Sequence, residues 1–188
     1  MSTTVTPLLP GNWYHIYNRG IDGQQLFYEE KNYDFFLKLL AQHVLEVAEI
    51  YAYCLLGNHF HLLIRILEQP KRKPHLGFSD LFNSYAQAIN KTYQRRGSLF
   101  ERPFRRKLVD SEAYRAHVLC YIHCNPAHHH LCDDFTTYPH SSYQALLSDA
   151  ATHLQRVEVL EWFDGRDGFI TFHQSKPDFD SIKDYVIE

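Results

Sequence analysis

The sequence predicts an α+β fold of the ferredoxin-like (split βαβ) type, in which one antiparallel sheet carries helices on one face. Segments of β-rich composition and segments of helical periodicity follow each other in the order β-α-β-β-α-β. Two of the β-rich segments are joined by the short turn Gly57-Asn58, which predicts a hairpin. The chain has 188 residues and is 45% hydrophobic, which is enough to build one core.

The first half of the chain supplies three strands and one helix. Alternating polar and apolar residues predict the first strand at residues 14–20. Apolar residues repeat at helical spacing over residues 29–47 and predict the first helix. The β-rich segments 50–56 and 59–67 flank the glycine-containing turn and form the predicted hairpin.

The next segments complete the ferredoxin-like order. Residues 68–78 contain prolines and basic side chains, and we expect a loop there. Ser79 is a typical N-cap, and the apolar stripe that follows predicts a helix to about residue 95, ended by Gly97. The fourth strand is predicted at residues 103–109.

A C-terminal helix is predicted to follow the fourth strand. It begins at Ser111, and we expect Pro126 to end it near Asn125, because proline disfavours helical geometry in the residue before it. Residues 1–150 are expected to form the main domain. Residues 151–188 are expected to form a small appendage that ends in an acidic tail.

Composition excludes several classes of protein. Charged residues make up only 22% of the chain, so a disordered polyelectrolyte is excluded. No apolar run approaches the ~18 residues of a membrane span. Three of the four cysteines lie within thirteen residues, a spacing unlike that of a secreted disulfide framework. We therefore expect a cytoplasmic protein without membrane contact.

The distribution of charge points to a polyanionic partner. The net charge is −3, but residues 1–110 carry 14 basic against 10 acidic residues, whereas residues 111–188 carry 5 against 12. Residues 91–107 hold seven basic side chains and one acidic side chain, Glu101. Aromatic residues are interleaved with them, and arginine with aromatic side chains suits phosphate binding and base stacking. Nucleic acid is therefore the leading partner.

Two short patterns carry the candidate chemistry. His59 and His61 flank one residue on the predicted strand, so both imidazoles point to the same face. Tyr121 and Asn125 are four residues apart on the predicted helix and share one side of it. Each pattern is weak by itself, because chance alone produces about one His-x-His pair and about half a Tyr-x-x-x-Asn pair in a chain of this composition. Together they suit metal-assisted attack of a tyrosine on a phosphodiester.

Two other classes compete with this interpretation. A ferredoxin-like sheet with exposed aromatic residues is also the architecture of non-catalytic modules that bind single-stranded RNA or DNA. The aromatic residues on the predicted strands are Tyr14, Tyr17, Tyr51, Tyr53 and Phe60. A structural zinc site is the other alternative. Its ligands would come from Cys120, Cys124, His128 and Cys132.

An ordered set of motifs resembles one family. The segment NHFHLLI at residues 58–64 resembles the His-hydrophobic-His strand of HUH single-tyrosine transposases, and most of all that of the bacterial REP-associated tyrosine transposases. The resemblance extends over residues 13 to about 173 in family order. Its further motifs are YHIYNRG at 14–20, GSLF at 97–100, YIHCNP at 121–126, PHSSY at 139–143 and VLEWF at 159–163.

The resemblance implies a metal-dependent endonuclease and strand transferase that acts on single-stranded hairpin DNA. In such an enzyme His59, His61 and Asn125 would hold one Mg²⁺ or Mn²⁺ ion. Tyr121 would attack the DNA and form a 5′-phosphotyrosine with a free 3′-hydroxyl. The DNA contacts would come from Asn18, Arg19, Arg102 and Arg105. The resemblance leaves monomer and homodimer both open, and the His128–His130 run receives no role.

Overall fold

Four antiparallel strands form the centre of the protein, whose computed structural model describes residues 6–175. Their order across the sheet is β2-β3-β1-β4, which is the ferredoxin-like order predicted from the sequence. The acidic tail expected after Pro177 lies outside the described residues. The strands are β1 (Trp13–Arg19), β2 (Ala48–Leu56), β3 (His59–Ile66) and β4 (Arg105–Val109).

The register of the sheet decides which side chains become neighbours. Strand β1 lies between β3 and β4, and Tyr17 is paired with His61 on one side and with Arg105 on the other. Directly opposed residues of an antiparallel pair point to the same face. A tyrosine, a histidine and an arginine from three strands therefore stand in one row across the sheet.

Two helices cover one face, as predicted. They are α1 (Glu30–Val44) and α2 (Pro74–Thr92), which pack against each other and against the sheet. Phe36 of α1 lies with its ring centroid 5.0 Å from that of Phe60 and 5.1 Å from that of Tyr85. All three side chains are fully buried. This aromatic layer forms the main core.

The start of α2 differs from the prediction. The helix begins at Pro74, so the loop predicted over residues 68–78 is too long by five residues. Proline is favoured in the first turn of a helix, where its missing N–H costs nothing. Ser79 lies inside the helix, and its hydroxyl donates to the carbonyl of His75 instead of capping the first turn.

A third long helix, α3 (Glu112–His128), covers the opposite face and packs on β2 and β3. The helix starts at Ser111 as predicted, and the Ser111 hydroxyl caps it by accepting a hydrogen bond from the amide of Tyr114. The predicted end near Asn125 is wrong, because the helix continues through Pro126 for another two residues. Burial on the sheet outweighs the local preference of the residue before proline.

The remaining segments pack around α3. His173 near the end of the chain and His123 of α3 are both fully buried and hydrogen-bonded to each other. Among residues 6–175, every helix is too short or too polar to cross a membrane. The last helices are α4 (Tyr143–Leu147), α5 (Arg156–Glu161) and α6 (Arg166–Gln174), and 3-10 turns occur at Ile21–Gly23 and Phe135–Thr137.

Candidate functional site

The two patterns that carry the candidate chemistry meet in one pocket. Its volume is about 430 Å³, and His59, His61 and Tyr121 line it. The ring of Tyr121 lies with its centroid 5.7 Å from that of His61, and the two histidine rings are 5.3 Å apart. Strand β3 supplies the imidazoles and helix α3 supplies the phenol. The structure thus brings together groups that are 60 residues apart in the chain.

The alternation of strand β3 explains the direction of both imidazoles. Phe60 points to the face covered by α1 and α2, where it belongs to the aromatic core. His59 and His61 therefore point to the face covered by α3. This arrangement agrees with the period-two prediction made from the sequence.

Asn125 lies one helical turn after Tyr121 and has one unsatisfied atom. Its amide nitrogen donates to the carbonyl of Tyr121 at 3.2 Å. Its side-chain oxygen is buried close to His59 but makes no hydrogen bond of good geometry within the described residues. An unsatisfied buried acceptor costs about 1–3 kcal/mol, so native proteins rarely keep one unless it binds something. The amide oxygen of Asn125 is therefore a candidate metal ligand.

The neighbouring Asn58 fixes the tautomer of His59. The amide oxygen of Asn58 lies 2.7 Å from Nδ1 of His59. An amide oxygen can only accept, so Nδ1 carries the proton and the lone pair remains on Nε2. That nitrogen is the one a metal ion would use.

His61 has a buried partner that the sequence did not identify. Nε2 of His15, on strand β1, lies 2.9 Å from Nδ1 of His61. With Nδ1 of His61 engaged, Nε2 is the nitrogen left for a ligand. A hydrogen-bonded histidine ligand is held in one orientation by such a partner. The motif at residues 14–20 contains His15, but no local pattern shows that β1 pairs with β3 in this register.

The histidines of the site are held neutral. Burial lowers the pKa of His61 well below its usual value, and nearby histidines add to the effect. Burial also lowers the pKa of His15 to about 3. The pKa of His59 falls to about 4, mainly through burial and through His129, while the Asn125 amide acts in the opposite direction. Neutral imidazoles are the form that binds metal ions.

His129 belongs to the pocket although we expected the run His128–His130 to be an exposed loop without a role. Its ring centroid lies 4.7 Å from that of His59. It follows Tyr121 and Asn125 at intervals of four, and its amide donates to the carbonyl of Asn125. The spacing was visible in the sequence, but the assumed helix end at Pro126 concealed it. His128 and His130 are exposed.

Three of the four predicted DNA contacts lie at this pocket. Asn18, Arg19 and Arg105 line it. Glu101 bridges the two arginines, with its second carboxylate oxygen 3.3 Å from Nη2 of Arg105. Arg102 is exposed and lines a different cavity instead.

The two alternative classes of site find little support. Of the five strand aromatic residues, Tyr14, Tyr51 and Phe60 are at most 1% exposed, so they cannot stack on bases. No three His, Cys, Asp or Glu side chains within residues 6–175 are grouped to hold a metal ion, which disfavours a zinc site. The sulfur atoms of Cys120 and Cys124 are buried 3.9 Å apart and contact each other. The candidate site differs because its third proposed donor, Asn125, is an amide and not one of these residue types.

Comparison with known proteins extends the fold assignment. No protein-family model matches the sequence, and no curated protein is similar to it. Among solved structures, the fold is that of a tyrosine transposase. One similar structure is a REP-associated tyrosine transposase bound to a REP hairpin, with a TM-score of 0.65, 16% sequence identity, and coverage of 79% of this chain and 87% of that one. The likeness confirms the fold that the sequence resemblance implied.

Proposed function

We propose that this protein is a metal-dependent endonuclease and strand transferase that acts on single-stranded DNA. The observation that carries the proposal is that Tyr121, His59 and His61 line one pocket, while the buried Asn125, whose amide oxygen is unsatisfied, lies against His59. The tyrosine supplies a nucleophile, and the other three supply neutral nitrogen and oxygen donors. The proposal agrees with the function that the sequence resemblance implies.

The donor set fits a divalent ion such as Mg²⁺ or Mn²⁺. His59 and His61 would each offer Nε2, and Asn125 would offer the amide oxygen that the protein leaves unpaired. A bound ion supplies Lewis-acid stabilisation of a phosphate, worth several kcal/mol. The set carries no formal charge, so phosphate oxygens and water can complete the coordination. Imidazole donors favour Mn²⁺ over Mg²⁺.

Tyr121 is proposed as the nucleophile. Its phenolic oxygen would form a bond to phosphorus, the bond from phosphorus to the 3′ oxygen would break, and the DNA would remain attached as a 5′-phosphotyrosine. The phenol loses its proton to solvent, and the leaving 3′ oxygen gains one. A free tyrosine is about 0.1% ionised at pH 7, a deficit of roughly 4 kcal/mol. Attack by a second 3′-hydroxyl reverses these bond changes and rejoins strands.

Arg19 and Arg105 are proposed to hold the phosphates beside the reacting one. Both line the pocket, and guanidinium groups bind phosphate oxygens in pairs. Asn18 lies at the same edge, but its buried amide is bonded to the backbone of Arg19 and Glu101, so we propose that it positions this edge and does not bind phosphate itself. Because phosphate contacts release counterions, we expect binding to weaken steeply with salt. The structurally similar transposase is bound to a REP hairpin, so a hairpin single strand is the substrate to test first.

The decisive experiment is trapping of the covalent adduct. End-labelled hairpin single strands are incubated with the protein and Mn²⁺, and protein-linked DNA is measured on a denaturing gel. We expect Tyr121→Phe to fold and bind DNA but to form no adduct. The matched control is Tyr28→Phe, which alters an exposed tyrosine outside the pocket. An undiminished adduct in Tyr121→Phe refutes the assignment, and metal-independent binding without any adduct favours a non-catalytic module.

A further inference from the structure

A second tyrosine lines the pocket that Tyr121 lines. Tyr17 lies in the middle of β1 and is 8% exposed, and it belongs to the lining of this pocket. Its side chain comes from the floor of the pocket, which is the sheet, whereas that of Tyr121 comes from helix α3. The phenol of Tyr17 therefore reaches the space in which the proposed reaction takes place.

Tyr17 stands between a proposed metal ligand and a proposed phosphate ligand. Strand pairing places His61 of β3 on one side of it and Arg105 of β4 on the other. Neighbouring strands lie about 4.8 Å apart, so the backbones at His61 and Arg105 are about 10 Å apart with Tyr17 midway between them. Directly opposed residues point to the same face. A phosphate held from both sides would therefore lie over Tyr17.

The ring of Tyr17 is held in one orientation by two histidines. Its centroid lies 5.9 Å from that of His61, and the two ring planes differ by only 20°. The ring of His15 packs on it as well, at 4.9 Å. Both imidazoles are buried, so the phenol has little room to turn. A polar group that is fixed before the substrate arrives stabilises developing charge without reorganisation.

The hydrogen bond to Arg105 defines what the Tyr17 hydroxyl can do. The guanidinium of Arg105 is bonded to this hydroxyl. A guanidinium can only donate, so the phenolic oxygen accepts and its proton remains able to donate to a ligand. Burial raises the pKa of Tyr17, and Arg105 acts in the opposite direction, so the phenol keeps its proton at neutral pH. Tyr17 is thus suited to donate a hydrogen bond.

We propose that the hydroxyl of Tyr17 donates a hydrogen bond to a non-bridging oxygen of the phosphate that Tyr121 attacks. The inference rests on the proposed function for the reaction itself. Negative charge increases on the non-bridging oxygens as the phenolic oxygen of Tyr121 bonds to phosphorus, and a fixed donor beside them lowers the barrier. Tyr17 forms no covalent bond and keeps its proton throughout. Tyr17 thereby becomes a further catalytic residue, contributed by β1.

The test begins with Tyr17→Phe, which removes only the hydroxyl. The rate of adduct formation is measured on the denaturing gel with saturating hairpin strand and Mn²⁺. We expect the rate to fall by about a hundredfold, since the loss of one preorganised donor costs about 10²–10³ in rate. Affinity for the strand without metal and affinity for Mn²⁺ should both stay within about threefold, because the contact matters most in the transition state.

A matched variant controls for the loss of a strand hydroxyl. Tyr53→Phe makes the same change at a half-buried tyrosine of β2 that lies outside the pocket. It should form the adduct at the native rate. Unchanged thermal melting shows that each variant is folded. A large loss of Mn²⁺ affinity in Tyr17→Phe would show that Tyr17 acts by positioning His61, and it would overturn the inference.

Sulfur substitution at the reacting phosphate separates contact from support. A strand in which sulfur replaces one non-bridging oxygen of that phosphate exists as two diastereomers, and sulfur accepts hydrogen bonds weakly. Only one diastereomer presents the sulfur to Tyr17. With that one, Tyr17→Phe should slow adduct formation by less than about threefold, whereas with the other it should cost the full hundredfold or so. An equal loss with both diastereomers would mean a purely structural role and would overturn the inference.

The outcomes separate this inference from the proposed function. A native rate of adduct formation in Tyr17→Phe overturns the inference and leaves the proposed function intact. An adduct that persists in Tyr121→Phe and disappears when Tyr17→Phe is added would make Tyr17 the nucleophile, which also overturns it. If the native protein forms no adduct, the proposed function is refuted, and the inference is refuted with it.

Discussion

The protein contains two buried pairs of histidines that look alike at first. His15 and His61 bridge two strands of the sheet, whereas His123 and His173 join α3 to α6. In each pair two ring nitrogens lie 2.9 Å apart, and all four side chains are at most 4% exposed. Burial lowers the pKa of every one of them.

The pairs differ in what the outer nitrogens contact. Nε2 of His123 lies 2.8 Å from the hydroxyl of Ser142, and Nδ1 of His173 donates to the carbonyl of Phe169. Every ring nitrogen of that pair is satisfied. His15 instead has a buried Nδ1 without a partner in the described structure, and His61 lines a pocket. A closed hydrogen-bond chain indicates a structural role, and an open one beside a pocket indicates a functional role.

The largest expected effect comes from the pair that lines the pocket. His59→Ala with His61→Ala removes both proposed nitrogen ligands, so we expect adduct formation to fall by about a thousandfold or more with Mg²⁺ and with Mn²⁺, since a catalytic ion supplies several kcal/mol. The rate is measured by the denaturing-gel assay. The exposed His153→Ala serves as control. Retained activity in the double variant would mean that the ion is held elsewhere.

The structural pair should show the opposite profile. His123→Ala leaves a cavity and breaks the bonds to Ser142 and His173, so we expect the free energy of unfolding to fall by about 2–4 kcal/mol. Urea denaturation measures the change. Adduct formation per folded molecule should stay near the native value. A selective loss of chemistry with native stability would reverse the roles assigned to the two pairs.

Acid should weaken the fold through these same histidines. Burial lowers the pKa of His173 from 6.5 to about 4. Between those pH values His173 is therefore protonated in the unfolded chain and neutral in the folded chain. The contribution of His173 to the free energy of unfolding is therefore complete above pH 6.5 and decreases as the pH drops. At pH 5 the free energy of unfolding is lower by about 2 kcal/mol because of this residue alone. Urea titrations at pH 7.5 and pH 5 measure it. A flat dependence in that window would contradict the buried neutral state.

The smallest effect is expected at His15. His15→Phe keeps a ring of similar size but removes the partner of His61, so we expect affinity for Mn²⁺ to fall by about tenfold. Calorimetric titration with Mn²⁺ in the absence of DNA measures it. Stability should change little, because removing the unpaired Nδ1 of His15 offsets the loss of the hydrogen bond to Nδ1 of His61. Native affinity for Mn²⁺ in this variant would show that His15 does not orient the ligand.

Local patterns were sufficient for much of the fold. The hairpin, the strand alternation at His59 and His61, and the cap at Ser111 each depend on residues within one or two turns of each other. Such features can be read from sequence because neighbouring residues determine them. The four site residues could be listed for the same reason, with the family resemblance supplying their roles.

Features set by distant contacts could not be read in that way. The contact of His15 with His61 depends on strand pairing across 46 residues. The continuation of α3 through Pro126 depends on ten buried residues of that helix, and it brings His129 beside His59. In both cases packing between elements decided the outcome. The start of α2 at Pro74, in contrast, is a local feature, because proline is favoured in the first turn of a helix. The prolines and basic residues of 68–78 nevertheless led to the prediction of a longer loop.

The carboxylate bridge between Arg19 and Arg105 has a consequence for the speed of encounter. Glu101 is mostly buried and holds both guanidinium groups beside the pocket before any ligand arrives. Ordering of long side chains, which otherwise opposes association, is therefore largely complete in the resting molecule. Under the proposed function, an incoming phosphodiester would take over the arginines from this internal anion, and part of the cost of ordering them would already have been met.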